Sequence, residues 1–496
     1  MVSEAAKSVT KNVAVLSFTR VITTSSTLLL MVFLPRYLGA VGYGRLYLGQ
    51  SIVGIFALLI EFGGNYSIMK AVARHPDETG SIFVNSIGVR VFLWVVSFAL
   101  MMIYAMSVGY PTDVVLIVGI SGVGSMWAGF NNVIGNCYRG VELMKYPSFA
   151  AIAETVFIAT AGITALLLGV GPVEYATISV LGTLSGSIVL ARFRWTLFAS
   201  LPRVDWSKAI AMLKEGLPYF LNTVFGVIYY RIDTVMLSLL APEQVVGWYA
   251  ASYRFFDSLM VIPVVFTVSI FPVMSRRWGT NAAVESLMMQ KSLDVILMTA
   301  IPMAIGAFAF SPQIIHIFFG ATDYEPSIMI LKIFSVGLIL LYVDFILGTV
   351  LLSSDQQNKM LRMGFLAIFV NVGLNYLMIP YAQERLGNGG IGSAVATLAT
   401  ELFVMANMLS LIPRRYFTGN TIRVQLKTIV SGSAMIASLF VLQQLGTNWI
   451  ISAIGSSSVY ATALAFLRVF SESDKALARS ILGSLVPRLG FSRSDA

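Results

Sequence analysis

Charge is what this chain is short of. Only 11% of its 496 residues are Asp, Glu, Lys or Arg, against about 25% in ordinary soluble domains, so it cannot cover a soluble core of this size with a water-facing surface. Cysteine and histidine are scarcer still: Cys137 stands alone, and His75 and His316 are the two histidines. One thiol excludes a disulfide framework, and three such scattered residues make no metal-ligand set. No polar link between apolar runs is long enough to hold a catalytic domain, which excludes an integral glycosyltransferase or protease built on one. The glycine-rich string Gly387-Asn388-Gly389-Gly390-Ile391-Gly392 lacks the Lys-Ser/Thr ending of a phosphate loop and falls in a predicted outer turn.

What is present is apolar side chain, at 57% of residues with a mean hydropathy of +0.81. A bilayer absorbs such a composition, because a helix of roughly 20 apolar residues satisfies its own backbone while presenting apolar surface to lipid. Runs of spanning length lie near 13–34, 44–65, 81–107, 113–136, 148–170 and 173–193, then 215–240, 245–272, 291–319, 327–352, 360–382 and 390–412, and finally 425–445 and 449–470. The first is too long for a signal-peptide core and is counted as a helix. The fold class is therefore all-α, a polytopic membrane protein of about fourteen helices.

Cations test this count. Lys and Arg in short loops are retained on the cytoplasmic side, and here alternate connections carry Lys7 and Lys11, Lys70 and Arg74, Arg139 and Lys145, the stretch from Arg192 to Lys214, Arg276 and Arg277, Lys359 and Arg362, and Arg414 and Arg415. The intervening connections hold only Arg36, Arg45 and Arg385, alongside Asp113, Glu174, Glu243, Asp323, Glu325 and Glu384. Both termini are thereby assigned to the cytoplasm, and the +9 net charge is spent on orientation in the membrane rather than on a nucleic-acid face. The tail Phe470–Phe491 sets Ile481, Leu482, Leu485 and Val486 at helical spacing among basic residues, which suits an amphipathic helix on the inner membrane surface or a partner-binding one.

A repeat organises the spans. Pro35-Arg36-Tyr37-Leu38-Gly39 and the turn Val41-Gly42-Tyr43-Gly44 lead into the second helix, much as Val245-Val246-Gly247-Trp248-Tyr249 opens the eighth. Two six-helix halves of the same orientation follow, 1–205 and 206–415, with 416–496 adding two helices and the tail. The interface of such halves is the natural substrate path.

Charges within the spans are costly in lipid and mark functional positions. They are Arg20, Glu61, Arg90 and Glu154 in the cytoplasmic half of the first lobe, Arg231, Asp233, Arg254 and Asp257 in the outer half of the second, and Asp344 and Glu401. At 1.5 Å per residue, Asp233 and Arg254 fall within roughly 3 Å of one depth and Arg231 and Asp257 within roughly 5 Å, so cross-helix pairing is feasible. Two readings stay open: the four neutralise one another, or Arg20, Arg90, Arg231 and Arg254 bind a diphosphate through their bidentate forks. Glu61, Asp233, Asp257, Asp344 and Glu401 serve as ion-coupling or gate positions in the second reading and as packing acids in the first.

The strings LPRYLGAVGYGRLYLGQSIVGIFALLIEFG (Leu34–Gly63) and LPYFLNTVFGVIYYRIDTVMLSLLAPEQVVGWYAASYRFFDSL (Leu217–Leu259) resemble the oligosaccharide flippases of polysaccharide biosynthesis. The resemblance implies a two-lobed, V-shaped bundle in the plasma membrane that moves a polyprenyl-(di)phosphate-linked oligosaccharide to the outer leaflet by alternating access. It implies no bond chemistry, no cofactor, coupling to Na+ or H+, and a glycan polymerase or glycosyltransferase as neighbour. The segment Val21-Ile22-Thr23-Thr24-Ser25-Ser26 after Arg20 lacks the second basic residue and adjacent acid expected of the lipid II branch, and helix 1 lacks the aspartate of many multidrug exporters. An ion-coupled multidrug or cation antiporter and a non-transporting membrane scaffold are the rival classes.

Overall fold

A computed structural model describes residues 2–192, 202–279, 281–417 and 419–469. All regular structure among these residues is helical, as a chain that must satisfy its backbone inside lipid requires. The first helix, α1 (Val2–Glu61), runs 60 residues, or ~90 Å at 1.5 Å per residue, about three times the hydrocarbon core of a bilayer. It contains two spans, joined at Gly39, whose φ of 66° and ψ of 174° belong to a region open essentially to glycine.

The short α2 (Gly64–Arg74) follows a break at Phe62 and Gly63, both at positive φ. Then come α3 (Thr79–Ser107), α4 (Thr112–Gly140), α5 (Lys145–Leu167) and α6 (Pro172–Arg192). Gly182 and Gly186, the small-residue pair of α6, press on α5: a Cβ on Gly182 would sit 2.2 Å from Ile158, and one on Gly186 would sit 3.3 Å from the Ala150 carbonyl.

Helix α7 (Trp206–Leu240) is N-capped by the Asp205 carboxylate, which accepts from the amides of Ser207 at 3.0 Å and Lys208 at 3.3 Å. It is followed by α8 (Glu243–Leu259), α9 (Val261–Arg277), α10 (Ala282–Ala309), α11 (Ser311–Phe318), α12 (Ser327–Ser353), α13 (Gln357–Leu386), α14 (Gly389–Leu411), α15 (Gly419–Gln444) and α16 (Trp449–Phe466). The sequence pattern starts the ninth span at 291, whereas α10 begins nine residues earlier because Asn281 caps it, accepting from the Ala283 amide at 2.8 Å.

Twelve candidate spans are long and apolar enough to cross a membrane, with α8 and α9 counted as one. The second half of α1 and the 35-residue α7, which is not among the twelve, bring the number to fourteen. The glycine-rich string is a turn at Gly387 (φ 67°) followed by a helix start. Asn388 Oδ1 accepts from the Gly390 amide at 3.1 Å, and a Cβ on Gly392 would lie 2.0 Å from the Met378 carbonyl. These glycines serve a helix cap and a close α13–α14 approach. The amphipathic tail at 470–491 lies outside the described residues.

Two compact units emerge from the packing. One comprises Met1–Leu259, Ser311–Phe334 and Gln357–Val404; the other comprises Met260–Phe310, Ser335–Gln356 and Met405–Ala496. In the first, α1 packs along α4, α5, α7 and α8, so the kinked helix is its spine. In the second, α10 packs against α15 and α16, with the Tyr460 hydroxyl donating to the Met298 carbonyl at 3.0 Å.

Candidate functional site

The intramembrane charges of the first unit divide into groups with different surroundings. At the end of α1, Glu61 accepts from Asn65 at 3.1 Å and Asn132 at 3.0 Å. Arg90 on α3 is buried, and its two terminal nitrogens donate to the Gly129 carbonyl at 2.8 Å and to Asn65 Oδ1 at 2.9 Å. Asn136 also donates to Asn65 Oδ1, at 2.9 Å, and Arg139 donates to Asn136 at 2.9 Å. A buried guanidinium carries five donors, and here Asn65 and a bared helix carbonyl accept from two of them. The adjoining cavity, lined by Glu61, Ser67, Ser86 and Arg90, measures about 30 Å³, comparable with one water in bulk. Arg90 is thus engaged by the protein, and Glu61 helps hold its network. Glu154 on α5 is similarly occupied, accepting from Thr183 at 3.0 Å.

Four helices converge on Asp233. Its carboxylate is buried on α7 and accepts from Tyr249 of α8 at 2.8 Å, Asn375 of α13 at 2.8 Å and Thr397 of α14 at 2.7 Å. Asn371, one turn before Asn375, accepts from the same Asn375 amide at 3.0 Å. Among the described residues no cation pairs with Asp233, so the cross-helix pairing with Arg254 that depth allows does not form. Depth alone ignores the azimuth of each side chain. Neutral groups surround the acid instead: two hydroxyls and an amide, whose oxygens together with the carboxylate would suit a hard monovalent cation or a proton. Glu401, one turn after Thr397 on α14, is buried and accepts from the Tyr229 hydroxyl at 2.6 Å.

Arg231 and Arg254 are placed differently. Each is partly exposed, and neither forms an ion pair among the described residues. The Arg231 guanidinium lies 5.8 Å from the ring centre of Tyr47, a cation–π arrangement that leaves its N–H fork open at the edges. Both guanidiniums lie within electrostatic reach of the Tyr43 and Tyr47 hydroxyls of α1, so α7 and α8 bring two arginines to one stretch of α1. Asp257 is exposed on α8, within reach of Tyr47. Arg20 is exposed on α1 and its side chain has no polar partner among the described residues. Asp344 is buried on α12, within the second unit.

The end of the first unit that the cation alternation assigns to the outside holds a cluster that a scan for intramembrane charge passes over. Arg45 Nη1 donates to Asp113 at 2.6 Å and its Nε donates to Glu243 at 2.8 Å. Both acids sit in the first turn of their helices, α4 and α8, where the helix dipole favours a negative charge. One guanidinium thereby ties α1 to two helix N-termini. The available signal was that Arg45 is one of three cations on the side otherwise populated by acids.

Comparison with known proteins follows the same lines. The family model described as "Polysaccharide biosynthesis protein" matches residues 9–278, and that described as "Lipid II flippase MurJ" matches 144–468. The second match begins in the turn before α5. "Probable flippase AglR" of Haloferax volcanii is 23% identical over 264 residues, 53% of this chain and 54% of the relative. "Probable low-salt glycan biosynthesis flippase Agl15" of the same organism is 24% identical over 200 residues, 40% of this chain and 41% of that relative. The match thus spans about half the length of these curated relatives. The solved structure "Lipid II flippase MurJ, inward closed conformation" shares the fold at a TM-score of 0.71 and 12% identity, covering 95% of this chain and 99% of that one. Each of the two family models covers more than half of the chain, and on that ground the chain belongs to the family of polysaccharide biosynthesis flippases.

Proposed function

We propose that the chain flips a polyprenyl-(di)phosphate-linked oligosaccharide from the cytoplasmic to the outer leaflet of the plasma membrane during cell-surface glycan synthesis. The observation that carries this reading is the pair Arg231 and Arg254, two partly exposed guanidiniums without ion-pair partners among the described residues, gathered around Tyr43 and Tyr47. A diphosphate offers the oxygens that a planar fork grips two at a time, and the buried ring of Tyr47 backs the Arg231 fork. Arg20, exposed farther toward the N-terminal end of α1, meets the anion first. Arg90, buried and bonded to Asn65 and the Gly129 carbonyl, shapes the lobe instead.

In this mechanism the lobes 1–205 and 206–415 open inward, the head group enters the cationic site, the prenyl chain stays in lipid, and the lobes rock outward. No covalent bond changes. Asp233 and its ring of Tyr249, Asn375 and Thr397 take up the coupling Na+ or H+, with Glu401 and Asp344 as further acids on the ion's route. Substrate is delivered by a glycosyltransferase and consumed by a polymerase or transferase on the far side.

A leaflet-reorientation assay in proteoliposomes with a fluorescent polyprenyl-diphosphate sugar tests this. Arg231→Ala removes at least one charge-assisted bidentate contact, about 3 kcal/mol, and slows reorientation by about 100-fold at unchanged protein level. Arg231→Lys restores a part of it, because a point charge lacks the fork. Full activity of Arg231→Ala would sink the diphosphate role. The cation-antiporter reading draws on Asp233 being buried and ringed by aromatic and hydroxyl groups; drug resistance on expression, with normal glycan export after deletion, would select it.

A further inference from the structure

We infer that Arg45, Asp113 and Glu243 form a latch that holds the outer mouth shut, and that its release is a required step of each outward opening. The inference rests on the alternating-access reading above and on the outward assignment of this end.

Three observations meet there. Arg45 makes its two ion pairs from different faces of the guanidinium, at 2.6 Å to Asp113 and 2.8 Å to Glu243, so a single side chain clamps α1 to the starts of α4 and α8. All three side chains are partly exposed, 28% for Arg45, 43% for Asp113 and 40% for Glu243. Solvent therefore screens the pairs and keeps their strength modest, which suits a contact that must break in every cycle; a fully buried clamp would be too costly to open. One residue away the backbones themselves meet. A Cβ on Gly44 would fall 2.8 Å from the Gly247 amide, and one on Gly247 would fall 1.9 Å from the Ala40 carbonyl. Glycine contact gives the closed mouth a tight fit without side chains that would resist parting. Alongside, the Tyr110 and Ser238 hydroxyls bond at 2.8 Å, tying the α3–α4 turn to α7. The clamp, the glycine contact and the hydroxyl pair surround one cavity of about 230 Å³, lined by Arg45, Leu48, Tyr110, Ser238 and Glu243. Each of the three joins a helix of α1–α6, or the turn beside it, to α7 or α8, so all must part together if those two sets of helices separate here.

The experiment uses the full chain with Cys137→Ala, which removes the one native thiol, and Leu48→Cys as reporter in the cavity wall. Purified protein in oriented liposomes is reacted from one side with a membrane-impermeant methanethiosulfonate. Arg45→Ala and the double change Asp113→Asn with Glu243→Gln each raise the labelling rate from the outer side by up to about fivefold, the loss of the one screened pair, Arg45–Glu243, that crosses between the two sets of helices, while the Asp113 pair within the first set positions the Arg45 guanidinium. Arg45→Lys, which reaches one carboxylate at a time, falls between. Unchanged labelling in Arg45→Ala and in the double variant, both monodisperse and thermally intact, overturns the latch. Acceleration confined to reagent on the side of the termini overturns its outward assignment. The substrate reading is tested separately on the unmodified protein: faster labelling without glycan reorientation leaves the latch and removes the flippase, whereas normal reorientation with unchanged labelling does the reverse.

Discussion

Asp233 shows how much depends on single side chains in a low-dielectric setting. Its carboxylate has three uncharged donors, which fill three of its roughly four lone-pair sites and leave its charge uncompensated by any arginine or lysine among the described residues. Asp233→Asn keeps the shape and one acceptor oxygen, which can serve Tyr249 and Thr397 but then no longer Asn375, and it removes the charge that would hold an ion. The expected outcome is a folded protein whose transport no longer responds to an imposed Na+ or H+ gradient, read as reorientation rate against gradient in proteoliposomes. A gradient response equal to that of the unchanged chain would exclude Asp233 as the coupling site. Charges stand out in an apolar sequence, and those at Arg231, Asp233 and Arg254 were legible for that reason. Their asparagine partners were not. Asn65, Asn132, Asn136, Asn371 and Asn375 carry no formal charge, yet they do the hydrogen bonding around Glu61, Arg90 and Asp233. Which neutral amide meets which charge depends on helix rotation, and span positions do not encode that.

Helices in this protein meet most closely where glycine removes the Cβ. The cost of restoring a methyl should follow the clearances: Gly247→Ala, 1.9 Å from the Ala40 carbonyl, disturbs most; Gly44→Ala, 2.8 Å from the Gly247 amide, disturbs less; and Gly54→Ala, with nothing within 4 Å, serves as the reference. Overpacking costs about 1–3 kcal/mol, while an unhindered Gly→Ala inside a helix gains up to about 1 kcal/mol. Melting temperatures in detergent should therefore rank Gly54→Ala highest and Gly247→Ala lowest, and the reverse order would contradict the α1–α8 contact. Element ends were less legible than element existence. The ninth span begins early because Asn281 supplies a cap, and the second span stops at Phe62 and Gly63 because both adopt positive φ. Caps and single backbone angles are short-range events that a hydropathy window averages away.

At the scale of the whole molecule, the alternation of Lys and Arg and the fourteen helical crossings support one another, since a missing or extra crossing would put basic loops on both faces. Single cysteines in the Cys137→Ala background test it. A cysteine replacing Glu384 or Asp323 reacts with impermeant reagent from outside in intact cells, and one replacing Glu142 or Asp355 reacts only after the membrane is opened; reactivity of both sets from one side would refute the fourteen-span topology. Composition made the class plain, because no soluble core accommodates 57% apolar residues. The outer clamp escaped notice because Arg45 is separated from its partners by 68 and 198 positions, and nothing local to any of the three announces the others.

One feature of α1 reaches beyond its geometry. Gly39 lets two membrane crossings continue as a single covalent rod with a joint, the first crossing carrying Arg20 and the second opening on Arg45 six residues after the joint. A torque applied by ligand at one end of such a rod is delivered to the other without any intervening loop to absorb it. For anyone wishing to hold the transporter in one state, the joint is the economical place to do so: a residue with a side chain at 39 would have to abandon the observed backbone angles, and the two ends would lose the means of hearing each other.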